Sequence, residues 1–340
     1  AFLIFITCVY GMKGWIAPFA ELNYSAFNPG TWISGLAETF NDPKTLLGTL
    51  FKSAQSSGFW VTVAYSSAVV GFGIDRIRRR RTPYVTRQTL TLMCIQVLPL
   101  FILPEIILPW MGANDLIPHV IINNLFPDGS WWRAYGFILA WPLMAWNIFT
   151  ESPLWWWIII GFIQTFVIIP FIVWRWGKGA YCGWVCSCGA LAETMGDRHR
   201  EKMPHGKVWN KLNFIGQAIL LIAFIMLTLF AISWVKPTLV SMDWLNTYWL
   251  KGFWKHGVDW ILAGALGTGL YFWFSGRVWC RFACPLAALM HIYARFSKFR
   301  IITESKKCIS CNACTSVCHQ GIDIMNFANK GKNMEDPECV

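Results

Sequence analysis

Long apolar stretches alternate along this chain with short joints rich in proline, glycine and charge. Seven stretches with almost no charge stand out, near residues 1–17, 58–74, 89–110, 132–149, 154–174, 213–234 and 258–275. Each approaches or reaches the ~17–25 residues that a helix needs to cross the hydrocarbon of a bilayer. Backbone amides have no water to bond there, so runs of this kind predict an all-α polytopic membrane protein. Between the first two, Pro18, Asn28, Pro29, Gly30 and Pro43 mark loop and interfacial turns over 18–55. In the third, Pro99, Pro104 and Pro109 predict a bent or broken helix, with Glu105 between the last two.

Charge orients these segments. The second stretch stops at Arg76, Arg78, Arg79, Arg80 and Arg81, which read as a positive-inside topology anchor, or else as a site for anionic lipid or a partner. Counting simple crossings from that cytoplasmic end puts the loop 175–212 outside. That loop carries Arg175, Lys178, Arg198, Arg200, Lys202, Lys207 and Lys211 against Glu193, Asp197 and Glu201, a balance that belongs inside. One segment must therefore not cross. The stretch 132–149, interrupted by Pro142 and followed by Thr150, Glu151, Ser152 and Pro153, is expected to be re-entrant or interfacial. About six transmembrane helices then place the loops 175–212 and 276–301 and the tail on one side.

Composition agrees. With 55% hydrophobic and 14% charged residues, and a mean hydropathy of +0.43, the chain is too apolar for a soluble globular protein, and lipid is its expected solvent. The 22 Trp and 9 Tyr fall mostly at the ends of apolar runs, as interfacial anchors do. The net charge of +11 lies beside those runs and gives no reason to expect nucleic acid. The chain starts inside an apolar run with no basic n-region or cleavage site, so its true N-terminus is expected to lie upstream.

Nine of the 12 cysteines are clustered: Cys182/Cys186/Cys188, Cys280/Cys284 and Cys308/Cys311/Cys314/Cys318; Cys8, Cys94 and Cys339 stand apart. Thiols at ligand spacing argue for metal on a reducing face rather than for disulfides. The run Cys308-Ile-Ser-Cys311-Asn-Ala-Cys314-Thr-Ser-Val-Cys318 has the C-x2-C-x2-C-x3-C spacing of bacterial ferredoxins. In the two-cluster form of this motif the first three hold one [4Fe–4S] cluster and the fourth ligates the other. The customary proline after the last cysteine is His319 here. A structural zinc site, the alternative, prefers two C-x2-C pairs across a long spacer. Asp336-Pro337-Glu338-Cys339 resembles the entry to a second ligand run. Either the module is truncated after it, or Cys339 completes a single cluster as a remote fourth ligand.

Two further motifs sit where an apolar segment ends: Tyr181-Cys182-Gly183-Trp184-Val185-Cys186-Ser187-Cys188-Gly189 and Trp279-Cys280-Arg281-Phe282-Ala283-Cys284-Pro285-Leu286. Thiols four residues apart share a helical face, so two such pairs can offer four sulfurs to one centre. Arg175, Lys178, Arg277 and Arg281 are expected to lower their thiol pKa values. Small packing residues, or a dithiol cycling with a disulfide, are the other readings. Glu105 reads either as a proton-handling group at a quinone site or as a carboxylate at the outer interface, and the six His form no evident haem pair.

On these residues, together with Trp176-Gly177-Lys178-Gly179-Ala180 and Gly189-Ala190-Leu191, the chain resembles the membrane-bound polyferredoxin family that includes NosR, NapH and CcoG proteins. The resemblance covers roughly residues 174–339. Cys280, Cys284 and Pro285 match the family's C-x3-C-P pattern, whereas Ser187 stands in the first motif's proline position and Cys188 adds a thiol. The resemblance implies a membrane domain over 1–301 and a ferredoxin-type module over 302–340. It implies one or two [4Fe–4S] clusters in that module and a further iron–sulfur or metal centre at the paired motifs. It also implies electron transfer between a quinone pool or cytoplasmic donor and a respiratory partner, within a larger complex of the bacterial inner membrane whose module is cytoplasmic. A metal reductase or assembly factor that lands copper on the paired thiols is the other function considered, and a purely structural subunit a third.

Overall fold

The computed structural model describes residues 42–339, so the first apolar stretch lies outside the described residues. The backbone is helical, with no β-strand among the described residues beyond one antiparallel bridge between Ile301 and Met334. In chain order the helices that matter are α1 (Ser57–Arg80), α2 (Pro83–Ala113), α3 (Trp155–Trp176), α4 (Gly179–Cys182) and α5 (Ser187–Thr194). After them come α6 (Val208–Val235), α7 (Leu245–Thr268), α8 (Val278–Phe282), α9 (Pro285–Ala294), α10 (Ala313–Ser316) and α11 (Ile324–Asn329).

Four of these, α1, α2, α3 and α6, are long and apolar enough to cross a membrane. Between 22% and 33% of their most apolar windows is buried, so most of that surface faces outward, where hydrocarbon rather than water suits it. Local sequence sets their limits. Arg81, in the left-handed region at φ 49°, ends α1, and Pro83 opens α2, its fixed φ already helical. The prolines of α2 do not break it. The turns over Leu98–Ile107 widen to a π-helical register in which the Leu108 N–H bonds Leu103 O, and the helix runs on to Ala113. Gly177, at φ 83°, stops α3 where a Cβ would strike the Phe299 ring.

The apolar stretch at 258–275 proves to be the second half of α7 followed by a tight turn over Gly269–Phe272. Lys251, Lys255, His256 and Asp259 lie within α7 and hide its start from a hydropathy reading. The stretch 132–149 forms no crossing helix, only single turns over Trp131–Phe137 and Ala145–Asn147.

The described residues divide into two compact units, 42–71 with 93–135, and 72–92 with 136–339. In the first, Glu105 is held by the Tyr135 hydroxyl, which donates to its Oε1 at 2.6 Å. The second contains every clustered cysteine, and residues 302–339 belong to it. Its core joins Phe149, Met226, Phe230 and Trp254 to Cys182, Cys186, Cys280 and Cys284.

Within this unit the irregular stretch 137–150 is largely buried between Ala140 and Phe149, so its backbone polar groups need partners from neighbouring side chains. They have them. Gln164 Nε2 donates to Phe137 O (3.1 Å), the Tyr181 hydroxyl to Ile138 O (2.7 Å), Thr165 Oγ1 to Trp141 O (3.1 Å) and Trp234 Nε1 to Thr150 O (3.0 Å). Non-helical chain at membrane depth is tolerated only when it is enclosed in protein in this way. Replacing Thr165 by valine keeps the shape and orphans the Trp141 carbonyl, a cost of about 1–3 kcal/mol. A lowered midpoint in thermal unfolding of the detergent-solubilised protein is expected, and an unchanged one contradicts this account.

Candidate metal centre

The two C-x3-C motifs are one local fold used twice. In each, the first cysteine lies in a short helix (Cys182 in α4, Cys280 in α8) and the second is the extended residue that caps the next helix. Cys186 N bonds Tyr181 O at 3.0 Å and Cys284 N bonds Trp279 O at 2.9 Å, so the chain folds back identically ahead of α5 and α9. The Cys284 sulfur accepts from Ala287 N at 3.4 Å, as a helix-capping oxygen would. Glycine is required beside the first motif, because a Cβ on Gly189 would lie 1.6 Å from Cys182 O.

The copies converge. Cys182, Cys186, Cys280 and Cys284 are each between 4% and 6% exposed, with Cys188 packed against them. Burial pushes the Cys182, Cys280 and Cys284 thiols up, and neighbouring sulfurs add to it: Cys186 acts on all three, and Cys280 on Cys182 and Cys284. Cys186 goes the other way, to about 7, chiefly because it accepts a hydrogen bond from the Cys188 thiol. Four buried soft sulfurs are thus grouped in one place, with the half-buried Cys188 beside them. Among the described residues, no three His, Cys, Asp or Glu side chains are drawn in closely enough to hold a single metal ion. The donor set, all sulfur and bordered by cations, fits an iron–sulfur core.

The sequence-predicted cations divide. Arg277 lies against the centre, its Nη1 3.9 Å from Cys280 Sγ, and Lys178, 1% exposed, lies one turn ahead of Cys182, whose N–H bonds Lys178 O at 3.2 Å. Arg175 instead stacks over the Trp176 ring. Arg281 turns away to Pro204 O (2.8 Å) and Asn210 Oδ1 (2.7 Å).

Sequence reasoning missed the carboxylates that hold these cations. Glu193 on α5 pairs with both Arg277 and Arg76, the latter at 2.6 Å. Burial pushes its carboxyl up, but Arg277, His319 and Arg76 outweigh that and hold it at about 2. Asp197 takes Arg76, Arg79, Arg80 and Arg200 at 3.2–3.5 Å. Three members of the arginine run read as a topology anchor are therefore bonded to the loop behind the first motif. Gly196 and Gly276 make this possible, because a Cβ on Gly196 would lie 2.6 Å from Gly276 Cα. Arg76 also bonds Gln88 Oε1 at 3.1 Å, and Gln88 Nε2 bonds Gly183 O, inside the first motif, at 2.9 Å.

The ferredoxin-type loop lies at the surface, with Cys311 and Cys314 exposed, Cys308 and Cys318 half-buried, and Ser310 and Asn312 left-handed (φ 55° and 63°). Such backbone turns N–H groups inward, as a cluster's sulfides require. Cys339 is brought next to Cys318: burial first, then Cys318, pushes its thiol up to about 11. His319, in the customary proline position, bonds Arg200 at 2.9 Å and comes within 4.0 Å of Glu193. Glu338 reaches back to Lys178 (3.0 Å) and His291 (2.8 Å). Beside the first motif a cavity of about 540 Å³ is walled by Tyr84, Trp176, Trp184 and Phe299, with Arg277, Glu193 and His319 also lining it. Nothing in the sequence pointed to it, because its walls come from segments far apart in the chain.

Glu193 neutralised to glutamine leaves Arg277 buried without its counter-charge and Arg76 with Asp197 alone, at a cost of about 3–5 kcal/mol. The Glu193→Gln protein is expected to unfold at markedly lower denaturant, read by tryptophan fluorescence in detergent; a wild-type midpoint would remove the network from the account of stability.

Residues 154–204 and 260–303 match a 4Fe-4S binding domain, and both C-x3-C motifs fall inside those limits. The chain is 27% identical over 172 residues to YccM of Escherichia coli, a protein named for electron transport, covering 48% of this chain and 46% of that one. It is 28% identical over 199 residues to the regulatory protein NosR of Pseudomonas aeruginosa (57% and 26%) and 29% over 201 residues to NirI of Paracoccus denitrificans (52% and 27%). The match thus spans less than half the length of each of these relatives. No solved structure matches. With a doubled cysteine fold inside the residues that match a 4Fe-4S binding domain, set among bilayer-length helices, this chain is similar to the electron-transport protein YccM and to NosR and NirI.

Proposed function

We propose that the chain carries electrons through iron–sulfur clusters at the cytoplasmic face of the bacterial inner membrane, from a quinol to a respiratory partner protein. The observation that carries this reading is the convergence of both C-x3-C motifs on one buried, cation-bordered set of sulfurs. Cys182, Cys186, Cys280 and Cys284 hold one cluster there, with Cys188 as an alternative ligand in the copy that lacks proline. In the ferredoxin-type module, 302–340, Cys308, Cys311 and Cys314 hold a second. Cys318 and Cys339 belong to a third site, as their proximity and the two-cluster pattern suggest. Such clusters, when bound, exchange single electrons.

The chain's own residues do the rest. Burial keeps water from the Cys182, Cys186, Cys280 and Cys284 sulfurs, and Arg277 and Lys178 offset the negative charge of thiolate ligands. The aromatic cavity beside Gly183 suits the flat, amphipathic head of a quinone, with its polar end toward Arg277 and His319. A copper-reducing role needs thiols that an incoming ion can reach. With exposures of a few per cent, these cysteines suit it less well.

After anaerobic reconstitution with iron and sulfide, Cys182→Ser and Cys280→Ser are each expected to lose the same EPR signal and a matching share of bound iron, while Cys94→Ser keeps both. Separate losses, or none, would sink the shared centre. Val85→Trp, which narrows the cavity from α2, is expected to abolish reduction by quinol but not by dithionite; equal loss of both would argue against quinol entry there.

A further inference from the structure

The two copies of the motif each carry one buried cation, but the cations are tied to different places. Arg277 is held by Glu193, inside the loop that follows the first motif. Lys178 is held by Glu338, the residue immediately before Cys339. Its Nζ lies 3.0 Å from Glu338 Oε2, with side-chain exposures of 1% and 14%. The other oxygen, Oε1, lies 2.8 Å from His291 Nδ1 on α9 and 3.4 Å from Asn213 Nδ2 in the first turns of α6. Both carboxylate oxygens are therefore engaged from three directions, and the ammonium is fixed with them. The Lys178 carbonyl accepts from Cys182 N–H at 3.2 Å, which puts the same residue one turn from the first ligand of the membrane-edge centre.

We propose that Lys178 is a positioning residue for electron transfer, a buried cation clamped by Glu338 between the Cys182/Cys280 centre and the Cys318/Cys339 pair, so that a single charge sets the reduction potential on both sides. This rests on the reading that both sets of thiols ligate clusters. Three observations support it. The Lys178 carbonyl takes the Cys182 N–H while its ammonium takes the carboxylate of Glu338, next to Cys339, so one residue bonds both ligand-bearing segments. Glu338 meets Lys178 Nζ through one oxygen at 3.0 Å and His291 Nδ1 through the other at 2.8 Å, so the clamp is an ion pair held at both oxygens. A buried ion pair adds little stability over well-packed apolar side chains, so what this one contributes is the place of its charge. A fixed cation beside a cluster favours the reduced, more negative state, and one shared by two clusters moves their potentials together.

The test is an EPR-monitored redox titration of the full-length protein in membranes, with Lys178→Met, Lys178→Arg and Glu338→Gln beside wild type. Lys178→Met is expected to shift both the membrane-edge signal and the Cys318/Cys339 signal to lower potential, and Lys178→Arg to leave both near wild type. Glu338→Gln removes the opposing charge and is expected to raise both. That opposite sign would not follow from loosened packing, and it decides the matter if Lys178→Met fails to assemble. A shift confined to one signal, unmoved signals, or the same direction for both charge-removing variants overturns the inference. A wild-type protein without a signal that depends on Cys182 and Cys280 would overturn the proposed function itself, a distinct result.

Discussion

Five sulfur atoms are packed together at the edge of an apolar core, and the folded chain must keep their charge in balance. Taking a thiolate out of water is costly, and a neighbouring thiolate makes it costlier. The cost is met only where positive charge is close and fixed. Arg277 and Lys178 supply that charge, and because a buried cation needs its own partner, each brings in a carboxylate. The rest of the architecture follows from where those carboxylates come from.

Glu193 is reached by Arg76 from the end of a bilayer-length helix, and Asp197 gathers three more guanidinium groups. The same ion pairs thereby join the end of α1 to the loop that bears the first motif. Close glycine contacts, Gly196 on Gly276 and Gly189 on the Cys182 carbonyl, allow the loops to approach so nearly. The irregular stretch 137–150 completes the enclosure, its carbonyls satisfied by donors from α3, α4 and α6. Packing, hydrogen bonding and charge pairing thus address one problem, the exclusion of water from a sulfur-rich centre.

What could be read from the sequence was whatever depends on neighbours in the chain. The ligand spacing at Cys308–Cys318, the two C-x3-C motifs and the apolar helices are local patterns, and the structure is helical with the two motifs brought together. The counter-charges were not legible, because Arg76 and Glu193 stand 117 residues apart and the arginine run already had a sufficient explanation in topology. Arg281 illustrates the limit from the other side. Placed inside a motif, it was expected to face the thiols, yet helical geometry turns it toward Pro204 and Asn210. The start of α7 was hidden for a simpler reason: Lys251, Lys255, His256 and Asp259 lower its hydropathy without disturbing its backbone.

The grip of Glu338 on three helical segments bears on how such a carrier meets other proteins. Some redox domains hang on a flexible tether and commute between donor and acceptor, their rate governed by the swing. Here the stretch that ends at Cys339 is bolted down by Lys178, His291 and Asn213, and Ile301 is zipped to Met334. A segment tied down at Met334 and again at Glu338 is held in place rather than left to swing. For the electron carrier proposed above, an acceptor would then have to come to the face around Cys311 and Cys314, which the anchoring leaves open to solvent.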